Sequence, residues 1–310
     1  MRALVSGANG YLGSALCARL VSRGDVVHRL VRRDPRPGDA VLDLSARRID
    51  ATGLGPDGLH GIDVVYHLSG EPITPWRWSA AKRERIRSSR VVTTDAVARS
   101  LAALGSSAPT LVAMSAVGFY GDRGEETLDE TSTPGTGTLA GVCRAWEEAT
   151  SPARESGVRV VNVRTGVVLG PGGGALGLQL PLFRLGLGGR LGSGRQWTSW
   201  IALEDEVGAL LHAAGTSDLS GPCNATAPSP VRNAELTRAL GAAVRRPALL
   251  AVPEAVLALA VGREVTDEIL CVSQRVLPAE LERTGYRFVR PTLAMALAAA
   301  TGGGHTAPAP

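Results

Sequence analysis

Lysine is almost absent from this chain of 310 residues, in which Lys82 is the only one. Arginine therefore carries nearly all of the positive charge, and the formal net charge is +4 at pH 7. The accompanying excess of alanine and glycine is typical of a GC-rich genome. One basic run, 82–90, contains no aromatic residues, so we interpret it as a solvated helix face and expect no nucleic-acid partner.

Long apolar stretches and closely spaced cysteines are absent as well. No run approaches 18 uncharged apolar residues and no signal peptide precedes the first strand, so no membrane partner is expected. The four cysteines stand far apart without a C-x-x-C pair, which favours reduced thiols and a cytoplasmic location over disulfides or a zinc site. The five histidines show no metal-ligand spacing, and no metal is predicted.

The most informative pattern that is present lies at the N-terminus. An apolar run at 3–5 leads into G-A-N-G-Y-L-G at 7–13, and leucines at four-residue spacing follow. A strand, a glycine turn and a helix in this order predict a pyrophosphate site at the helix N-terminus. Gly7 permits a backbone conformation that a Cβ forbids, Gly10 lets phosphates approach, and Gly13 lets the helix pack on the strand. The predicted dinucleotide-binding residues are Gly7, Asn9, Gly10, Tyr11, Leu12 and Gly13.

Arg32 and Arg33, which close the second predicted strand, select between two dinucleotides. An acidic residue at this point favours NAD, because it accepts hydrogen bonds from the adenosine ribose. A guanidinium instead binds a 2′-phosphate through two hydrogen bonds. NADP(H) is therefore the predicted cofactor, and the alternative is that one or both arginines are solvated surface charges.

Strand and helix patterns alternate along the first half of the chain. The predicted strands are 2–6, 26–31, 41–44, 63–68, 110–115 and 158–164, and the main predicted helices are 79–104 and 139–156. This alternation predicts an α/β fold with a Rossmann doubly wound parallel sheet. Ligands of such sheets lie beyond the carboxyl ends of the strands, so the residues that directly follow each strand are candidates for the site.

The pattern changes after about residue 170, where a glycine-rich loop opens a segment with longer helices. We predict an NADP-binding domain over 1–170 and a smaller substrate lobe over 171–301, some of whose elements return to the Rossmann core. The stretch 302–310 is rich in Gly, Pro and Thr and is predicted to be a disordered tail.

The segments that follow the strands, taken with the N-terminal turn, resemble the extended short-chain dehydrogenase/reductase superfamily. Longer blocks resemble its epimerase-like, sugar-nucleotide-epimerase-related subgroup, which has a small C-terminal domain of uncharacterised role. These blocks are SGEPI at 69–73 with RW at 77–78, SAVGFYGDRG at 115–124, GSGRQWTSWI at 192–201, NATAPSPVRNAELTRALG at 224–241 and SQRVLPAEL at 273–281. The resemblance implies NADP(H) binding in the N-terminal region, with further cofactor contacts at His67, Leu68, Ser69, Ser115, Gly166 and Val167.

The resemblance also exposes a missing catalytic pair. The superfamily uses a Ser or Thr, a Tyr that exchanges the proton, and a Lys four residues later that lowers the pKa of the Tyr. By spacing, Leu139 stands where the Tyr belongs and Cys143 where the Lys belongs, so that only Ser115 remains at its expected place.

Two interpretations of the function stay open. One is an NADP-dependent oxidoreductase or epimerase-like enzyme acting on a small polar carbonyl, hydroxyl or sugar-nucleotide-like substrate. The other is a catalytically silent NADP(H)-binding sensor or scaffold.

Glu71 and Tyr120 are the best replacements for the missing proton donor, alongside Ser115. Glu71 follows the fourth strand, and desolvation can raise the pKa of a Glu toward neutrality. The alternatives are that Glu71 pairs with Arg77 and that Tyr120 packs against the cofactor loop. Cys143 is a third candidate, a weak acid whose only flanking cation is Arg144, and the alternative is that it is a core residue of the helix.

Four residues are predicted to bind substrate. Arg164 ends a buried strand, where an arginine requires a partner, so it either braces the pocket or binds a phosphate or carboxylate. Arg195, Trp197 and Trp200 combine a cation with aromatic rings, which suits a flat or anionic ligand, although packing between lobes explains them about equally well. A small-molecule substrate is the expected partner, and a homodimer is left open.

Overall fold

The computed structural model describes residues 1–73 and 76–302. Its strands are β1 (Arg2–Ser6), β2 (Val26–Val31), β3 (Ala40–Asp43), β4 (Arg48–Asp50), β5 (Val64–His67), β6 (Thr110–Ala116), β7 (Thr127–Leu128), β8 (Val160–Thr165), β9 (Val167–Leu169), β10 (Gly189–Leu191), β11 (Trp197–Thr198), β12 (Trp200–Ala202), β13 (Gly221–Ala225), β14 (Val231–Arg232), β15 (Leu250–Val252) and β16 (Arg275–Val276). Its helices are α1 (Tyr11–Ser22), α2 (Ala80–Ala102), α3 (Thr138–Glu148), α4 (Ser151–Glu155), α5 (Gly174–Arg184), α6 (Leu203–Gly215), α7 (Asn233–Ala243), α8 (Glu254–Val261), α9 (Arg263–Val265), α10 (Ala279–Arg283) and α11 (Leu293–Thr301).

The central sheet has eight strands in the order β13-β8-β6-β5-β1-β2-β3-β4. Neighbouring strands are parallel throughout, except that β4 runs antiparallel to β3. The chain moves outward from β1 through β2 and β3, and then crosses to β5 on the other side. Strand order therefore reverses between β1 and β5, which opens a crevice at their carboxyl ends. The doubly wound parallel sheet predicted from the sequence is confirmed.

Both faces of the sheet are covered, and the strands are accordingly apolar almost throughout. Leu16 and Leu20 of α1 pack on one face together with Leu210 of α6. Leu101 of α2 packs on the other face, close to Ala153 of α4. Each of these leucines is fully buried, which stabilises the fold by roughly 1.5–3 kcal/mol per side chain.

The C-terminal part of the chain divides between the central sheet and a second core. β13 adds an edge strand to the sheet beside β8, and α6 covers one face, so these elements lie with the dinucleotide half. Elsewhere α5, α7 and α11 pack around β9 and β12 in a separate cluster that includes Leu176, Leu240 and Leu297. The division at residue 170 stays a prediction. The tail predicted at 302–310 lies, apart from Gly302, outside the described residues.

Each predicted strand has a counterpart whose bounds differ by at most two residues. The predictions did not include β4, which has only three residues, or β13, whose sequence GPCNA contains Gly, Pro and Asn, three residue types that are depleted in strands. None of the helices within 1–73 and 76–302 combines the length and the apolar character needed to cross a bilayer.

Candidate functional site

The glycine corner at 7–13 has the geometry that the spacing predicted. Helix α1 begins at Tyr11, and its N-cap Gly10 donates its backbone N–H to the carbonyl oxygen of Gly7 at 2.8 Å. Gly7 has φ +69°, and a Cβ there would lie 3.0 Å from the carbonyl carbon of Leu68. A Cβ at Gly13 would overlap the carbonyl oxygen of Gly7. A side chain at either position would therefore fill or displace the cradle in which a pyrophosphate is expected.

We expect Gly13→Ala to weaken NADPH binding at least tenfold, because the new Cβ must push α1 away from the turn. A methyl group cannot be accommodated by moving a flexible side chain, since the atom that it meets belongs to the backbone. Fluorescence titration with NADPH measures the change. Gly177→Ala is the matched control, because Gly177 lies in helix α5 with open space around its Cβ position. Equal NADPH affinity in both variants would contradict the close packing of α1.

A cleft of about 1130 Å³ opens beside this corner, at the carboxyl ends of β1, β2 and β5. Arg32 and Arg33 form part of its wall, which supports their predicted role toward a 2′-phosphate. Tyr11, Leu12 and Gly13 lie in the first turn of α1, outside the residues that line the cleft. The lining residues named by the sequence prediction are Gly7, Asn9, Gly10, Arg32, Arg33, Leu68 and Ser69. Seven of the fourteen predicted cofactor positions therefore line one cleft, whose size suits a dinucleotide, and the other seven lie outside its lining.

The side chain of Tyr11 is enclosed by the glycine-rich loop at 170–174. A Cβ at Gly170 would overlap the hydroxyl of Tyr11, one at Gly173 would lie 2.6 Å from its Cδ2, and one at Gly174 would lie 3.1 Å from Cε1. The glycines of this loop thus let the backbone wrap around an aromatic ring. This contact joins the C-terminal part of the chain to the first turn of the dinucleotide corner.

His67 supports the cleft from beneath and is itself fully buried. Ser6 Oγ accepts the backbone N–H groups of Leu68 and Ser69, at 3.0 and 3.2 Å. Because Ser6 Oγ accepts both N–H groups, its own proton is donated to His67 Nδ1 at 2.8 Å. The neutral ring therefore carries its proton on Nε2, which donates to Thr93 Oγ1 at 3.2 Å. Burial lowers the pKa of His67 to about 4, in agreement with a neutral ring. His67 therefore fixes the loop that lines the cleft.

Ser115 and Arg164 meet on one carboxylate, that of Glu147. The Ser115 hydroxyl donates to Glu147 Oε1 at 2.6 Å. Arg164 donates through Nε and Nη2 to the two oxygens of Glu147, both at 2.8 Å. The side chains of Arg164 and Glu147 are only 4 % and 13 % exposed. Arg164, predicted as a substrate ligand or a brace, thus makes a bidentate ion pair inside the protein.

Tyr120 continues the same buried network. Its hydroxyl donates to Asn224 Oδ1 at 2.7 Å and accepts from Arg164 Nη1 at 3.0 Å. The Arg164 guanidinium also lies 3.5 Å from the centre of the Phe119 ring. Burial raises the pKa of Tyr120 to about 12. Tyr120 has no exposed surface, so it lies within the packed interior of the protein.

Glu71 is an ionised carboxylate with two basic neighbours. Lys82 Nζ donates to Glu71 Oε1 at 2.8 Å, and Arg85 Nε lies 3.8 Å from the same oxygen. The hydrogen bond from Lys82 lowers the pKa of Glu71, so the direction expected from desolvation is wrong. The alternative, an ion pair of Glu71 with Arg77, is wrong in its partner, because Arg77 donates to the carbonyl oxygen of Leu259 and Lys82 pairs with Glu71 instead.

Leu139 and Cys143, at the positions of the missing catalytic pair, both face the turn after β6. A Cβ at Gly118 would lie 3.6 Å from Cys143 Sγ and 3.7 Å from Leu139 Cβ. Burial raises the pKa of Cys143 to about 12, so this thiol stays protonated and unreactive at neutral pH.

A buried cation beside the loop at Gly70 was not predicted from the sequence. Arg90 is only 8 % exposed, although its helix face was interpreted as solvated. Its Nη1 donates to the carbonyl oxygens of Glu71 and Ile86, both at 3.0 Å, and its guanidinium lies over the Trp146 ring. A Cβ at Gly70 would lie 3.2 Å from the guanidinium carbon. Arg90 therefore places a positive charge directly behind the loop that lines the cleft.

The predicted substrate residues beyond β9 separate into different environments. Trp200 is fully buried and donates its Nε1 proton to the Ser229 carbonyl oxygen, so it belongs to the C-terminal core. Trp197 lies between the guanidinium groups of Arg232 and Arg275, whose central carbons are 4.1 and 4.7 Å from its ring centre. Arg195 is exposed, and its carbonyl oxygen accepts from Arg232.

Gly166 and Val167 link this region to the central sheet. The N–H of Gly166 donates to the Ala225 carbonyl oxygen at 3.0 Å, and the N–H of Val167 donates to the Ser199 carbonyl oxygen at 2.8 Å. Neither residue lines the cleft of about 1130 Å³. Across the described ranges, no group of three or more His, Cys, Asp or Glu side chains is arranged to hold a metal ion.

The sequence and the fold of this chain are similar to those of known proteins. The model of the NAD dependent epimerase/dehydratase family matches residues 3–224, and a domain of unknown function, DUF1731, matches residues 252–300. The epimerase family protein Mb2239 of Mycobacterium bovis is 44% identical over 297 residues, which cover 96% of each chain.

Two solved structures are also similar. The human epimerase family protein SDR39U1, solved with NADPH, superimposes with a TM-score of 0.88 at 35% identity and covers 97% of this chain and 99% of its own. The nucleoside-diphosphate sugar epimerase from Corynebacterium glutamicum has a TM-score of 0.77 at 38% identity, covering 98% of this chain and 58% of its own. The epimerase-like resemblance drawn from the sequence blocks is confirmed, and the NADPH of the human structure agrees with the predicted cofactor.

Proposed function

The chain belongs to the NAD dependent epimerase/dehydratase family, and from this premise we propose that it is an NADP(H)-dependent oxidoreductase or epimerase-like enzyme. Its substrate is a small polar carbonyl or hydroxyl compound of the nucleoside-diphosphate-sugar type. The observation that carries the proposal is the cleft at the carboxyl ends of β1, β2 and β5, which combines a glycine cradle with two arginines.

The residues of the cleft fit the coenzyme. The N–H groups at the start of α1 would hold the pyrophosphate, whose negative charge the helix dipole favours. Gly7 and Gly10 keep the cradle free of side-chain atoms, while Arg32 and Arg33 would neutralise the 2′-phosphate. When bound, the nicotinamide supplies hydride transfer, and the protein supplies binding, orientation and proton handling.

Glu71 is the proton-handling residue that the contacts favour. Ser115 and Tyr120 use their hydroxyl protons inside the buried network with Glu147 and Asn224. Glu71 is partly exposed, with 33% of its side chain accessible, and it follows β5 at the edge of the cleft. It is a carboxylate at neutral pH and can accept a proton from a substrate hydroxyl, while the hydrogen bond from Lys82 lowers its pKa and makes it a weaker base than an unpaired Glu.

The substrate class rests on the relatives and on one cluster of side chains. The protein from Corynebacterium glutamicum is described as a nucleoside-diphosphate sugar epimerase, and it is 38% identical. In this chain, the Trp197 ring is held between the guanidinium groups of Arg232 and Arg275, and Arg275 forms no ion pair within the described residues. An unpaired guanidinium of this kind suits the diphosphate of a nucleotide.

The alternative function is an NADP(H) sensor or scaffold without turnover. Leu139 and Cys143 stand at the catalytic positions of the superfamily, and neither can exchange a proton at neutral pH. Tight binding of NADPH with no consumption on any substrate would favour this alternative over the enzyme.

The cofactor assignment is tested by Arg32→Ala. We expect NADPH affinity to fall about 10–100-fold, because charge-assisted hydrogen bonds to the 2′-phosphate are lost, while NADH affinity changes little. Fluorescence titration with each coenzyme measures the ratio, and Arg19→Ala, in the last turn of α1, is the control. Equal losses for both coenzymes would show that Arg32 does not contact the 2′-phosphate.

The activity itself is tested with the purified protein, NADP⁺ or NADPH, and a panel of carbonyl compounds and sugar nucleotides. Coenzyme absorbance follows net oxidation or reduction, and product stereochemistry follows epimerisation. Glu71→Gln should abolish turnover while NADPH affinity stays unchanged, and Glu84→Gln, at an exposed position of α2 that does not line the cleft, is the control. Full turnover by Glu71→Gln would remove Glu71 from the mechanism.

A further inference from the structure

Helix α5 is apolar on two opposite faces, although only one of them is buried. Leu178 and Leu182 of α5, together with Leu185 at its C-cap, follow helical i, i+4, i+7 spacing and are 62%, 51% and 73% exposed. The other stripe, which packs in the C-terminal core, consists of Leu176, Leu180 and Phe183. An ordinary surface helix has polar residues on its outer face, so the exposed leucines of α5 require a partner for that face.

The exposed stripe continues beyond the end of the helix. Leu187 follows in the loop, and β10 then pairs in parallel with β15, in the register Gly189 to Leu250. This pairing brings Leu249, which is 89% exposed, beside the same surface. We call this surface the leucine face, and it is formed by Leu178, Leu182, Leu185, Leu187, Leu249 and Leu250.

The two chain segments that carry the leucine face, 170–203 and 236–253, contain arginines but no Asp or Glu. Glu235 and Glu254 border the second segment, and the Glu254 side chain lies beside Gly192, just after β10. The six arginines of the two segments form no ion pair within the described parts of the chain. These arginines are Arg184, Arg190, Arg195, Arg238, Arg245 and Arg246.

This charge distribution decides between two occupants of the leucine face. A second copy of the chain would bring arginines against arginines, and like charges at an interface are unfavourable. A surface that combines exposed leucines with arginines instead fits an anionic bilayer, where apolar side chains enter the acyl boundary and guanidinium groups meet phosphates.

We propose that the leucine face docks on the surface of an anionic lipid bilayer. The docking is peripheral, so it needs no helix able to cross the membrane. The expectation that the chain has no membrane partner rested on the absence of a spanning stretch, and a surface contact of this kind does not depend on one. The inference is independent of the proposed function, since no residue of the cofactor cleft takes part.

Co-sedimentation of the full chain, saturated with NADPH, tests the proposal. We expect binding to vesicles of phosphatidylcholine with about one-third phosphatidylglycerol, and at least tenfold weaker binding to phosphatidylcholine alone. The triple variant Leu178→Ser/Leu182→Ser/Leu185→Ser should bind anionic vesicles at least tenfold less. Arg245→Gln/Arg246→Gln should lose about fivefold per arginine and become less sensitive to salt.

The controls separate docking from general effects of charge and folding. Val21→Ser replaces a side chain that is 62% exposed on helix α1, and it should bind vesicles as the wild type does. NADPH affinity should be unchanged in all these variants, which shows that they are folded. Absence of binding to anionic vesicles, or equal binding by the triple variant, would overturn the proposal. So would a wild-type dimer that the triple variant converts to a monomer, or binding to RNA in preference to vesicles.

Discussion

Glu147→Ala is expected to lower the free energy of unfolding by about 3–5 kcal/mol, which is a large fraction of the stability of a single domain. The variant removes the bidentate partner of Arg164 and leaves a guanidinium that is only 4% exposed without a counter-charge. It also removes the acceptor of the Ser115 hydroxyl. Loss of one member of a buried ion pair is far more damaging than replacement of both by apolar residues.

The adjacent residue supplies the control for this prediction. Glu148 has 74% of its side chain exposed and approaches Arg154 only at 4.0 Å. Glu148→Ala should therefore change the stability by less than about 0.5 kcal/mol. Urea unfolding at pH 7, with the m-value checked for both variants, measures the two differences.

A second substitution keeps the prediction testable if Glu147→Ala does not fold. Glu147→Gln retains the hydrogen-bond acceptor for Ser115 but loses the charge that pairs with Arg164, so we expect an intermediate loss. Equal stabilities of the Glu147 and Glu148 variants would contradict the view that this network holds β6, β8 and α3 together.

The parts of the fold that the sequence predicted correctly are those in which neighbouring residues determine the conformation. The glycine corner is such a case, because Gly7, Gly10 and Gly13 act within one turn and their spacing alone implies close packing. The parallel sheet follows similarly from the alternation of strands and helices. Arg32 and Arg33 could be placed because they directly follow a strand whose end was predictable.

The partners of the buried charged groups could not be predicted in the same way. The sequence shows that Arg164 ends a buried strand and needs a partner, yet Glu147 lies 17 positions earlier and is brought there by the packing of α3 on the sheet. From the sequence, Arg77 was considered as the partner of Glu71, but helix α2 places Lys82 beside Glu71 instead. Such pairings depend on the register and rotation of whole elements, which local patterns do not define.

Trp200 illustrates the same limit for aromatic residues. It stands three positions from Trp197, and the sequence grouped both with Arg195 as a ligand surface. The short strand β12 pairs with β9, which turns Trp200 into the C-terminal core and leaves Trp197 between two arginines. Over so few residues, a strand whose positions alternate between buried and accessible has the same composition as a cluster of ligand-binding side chains. Composition alone therefore does not distinguish the two.

Glu206 offers a prediction about pH, because it is a carboxyl group inside the apolar core. It is fully buried on α6, Thr165 Oγ1 donates to its Oε1 at 2.8 Å, and its Oε2 has no hydrogen-bond partner among the described residues. Burial raises its pKa from 4.5 to about 8. The folded protein therefore holds this proton at neutral pH, whereas the unfolded chain releases it.

The sign of the effect follows from this difference in proton binding. Between about pH 4.5 and 8 the folded state binds more protons at Glu206 than the unfolded state, so stability falls as the pH rises through this window. Glu206→Gln cannot ionise and removes this contribution. The stability of the variant relative to wild type should thus increase by about 3 kcal/mol from pH 5 to pH 8.

Urea unfolding of the two proteins at several pH values between 5 and 8 measures this relative change. Other titrating groups, such as His67, are present in both proteins and cancel in the difference. Glu204→Gln is the matched control, since Glu204 lies two positions away on α6 with 55% of its side chain exposed, and its difference from wild type should stay nearly constant. If Glu206→Gln and wild type lose stability in parallel as the pH rises, Glu206 is already ionised in the folded protein, and a charged carboxylate must then be stabilised within the core by a group beyond Thr165.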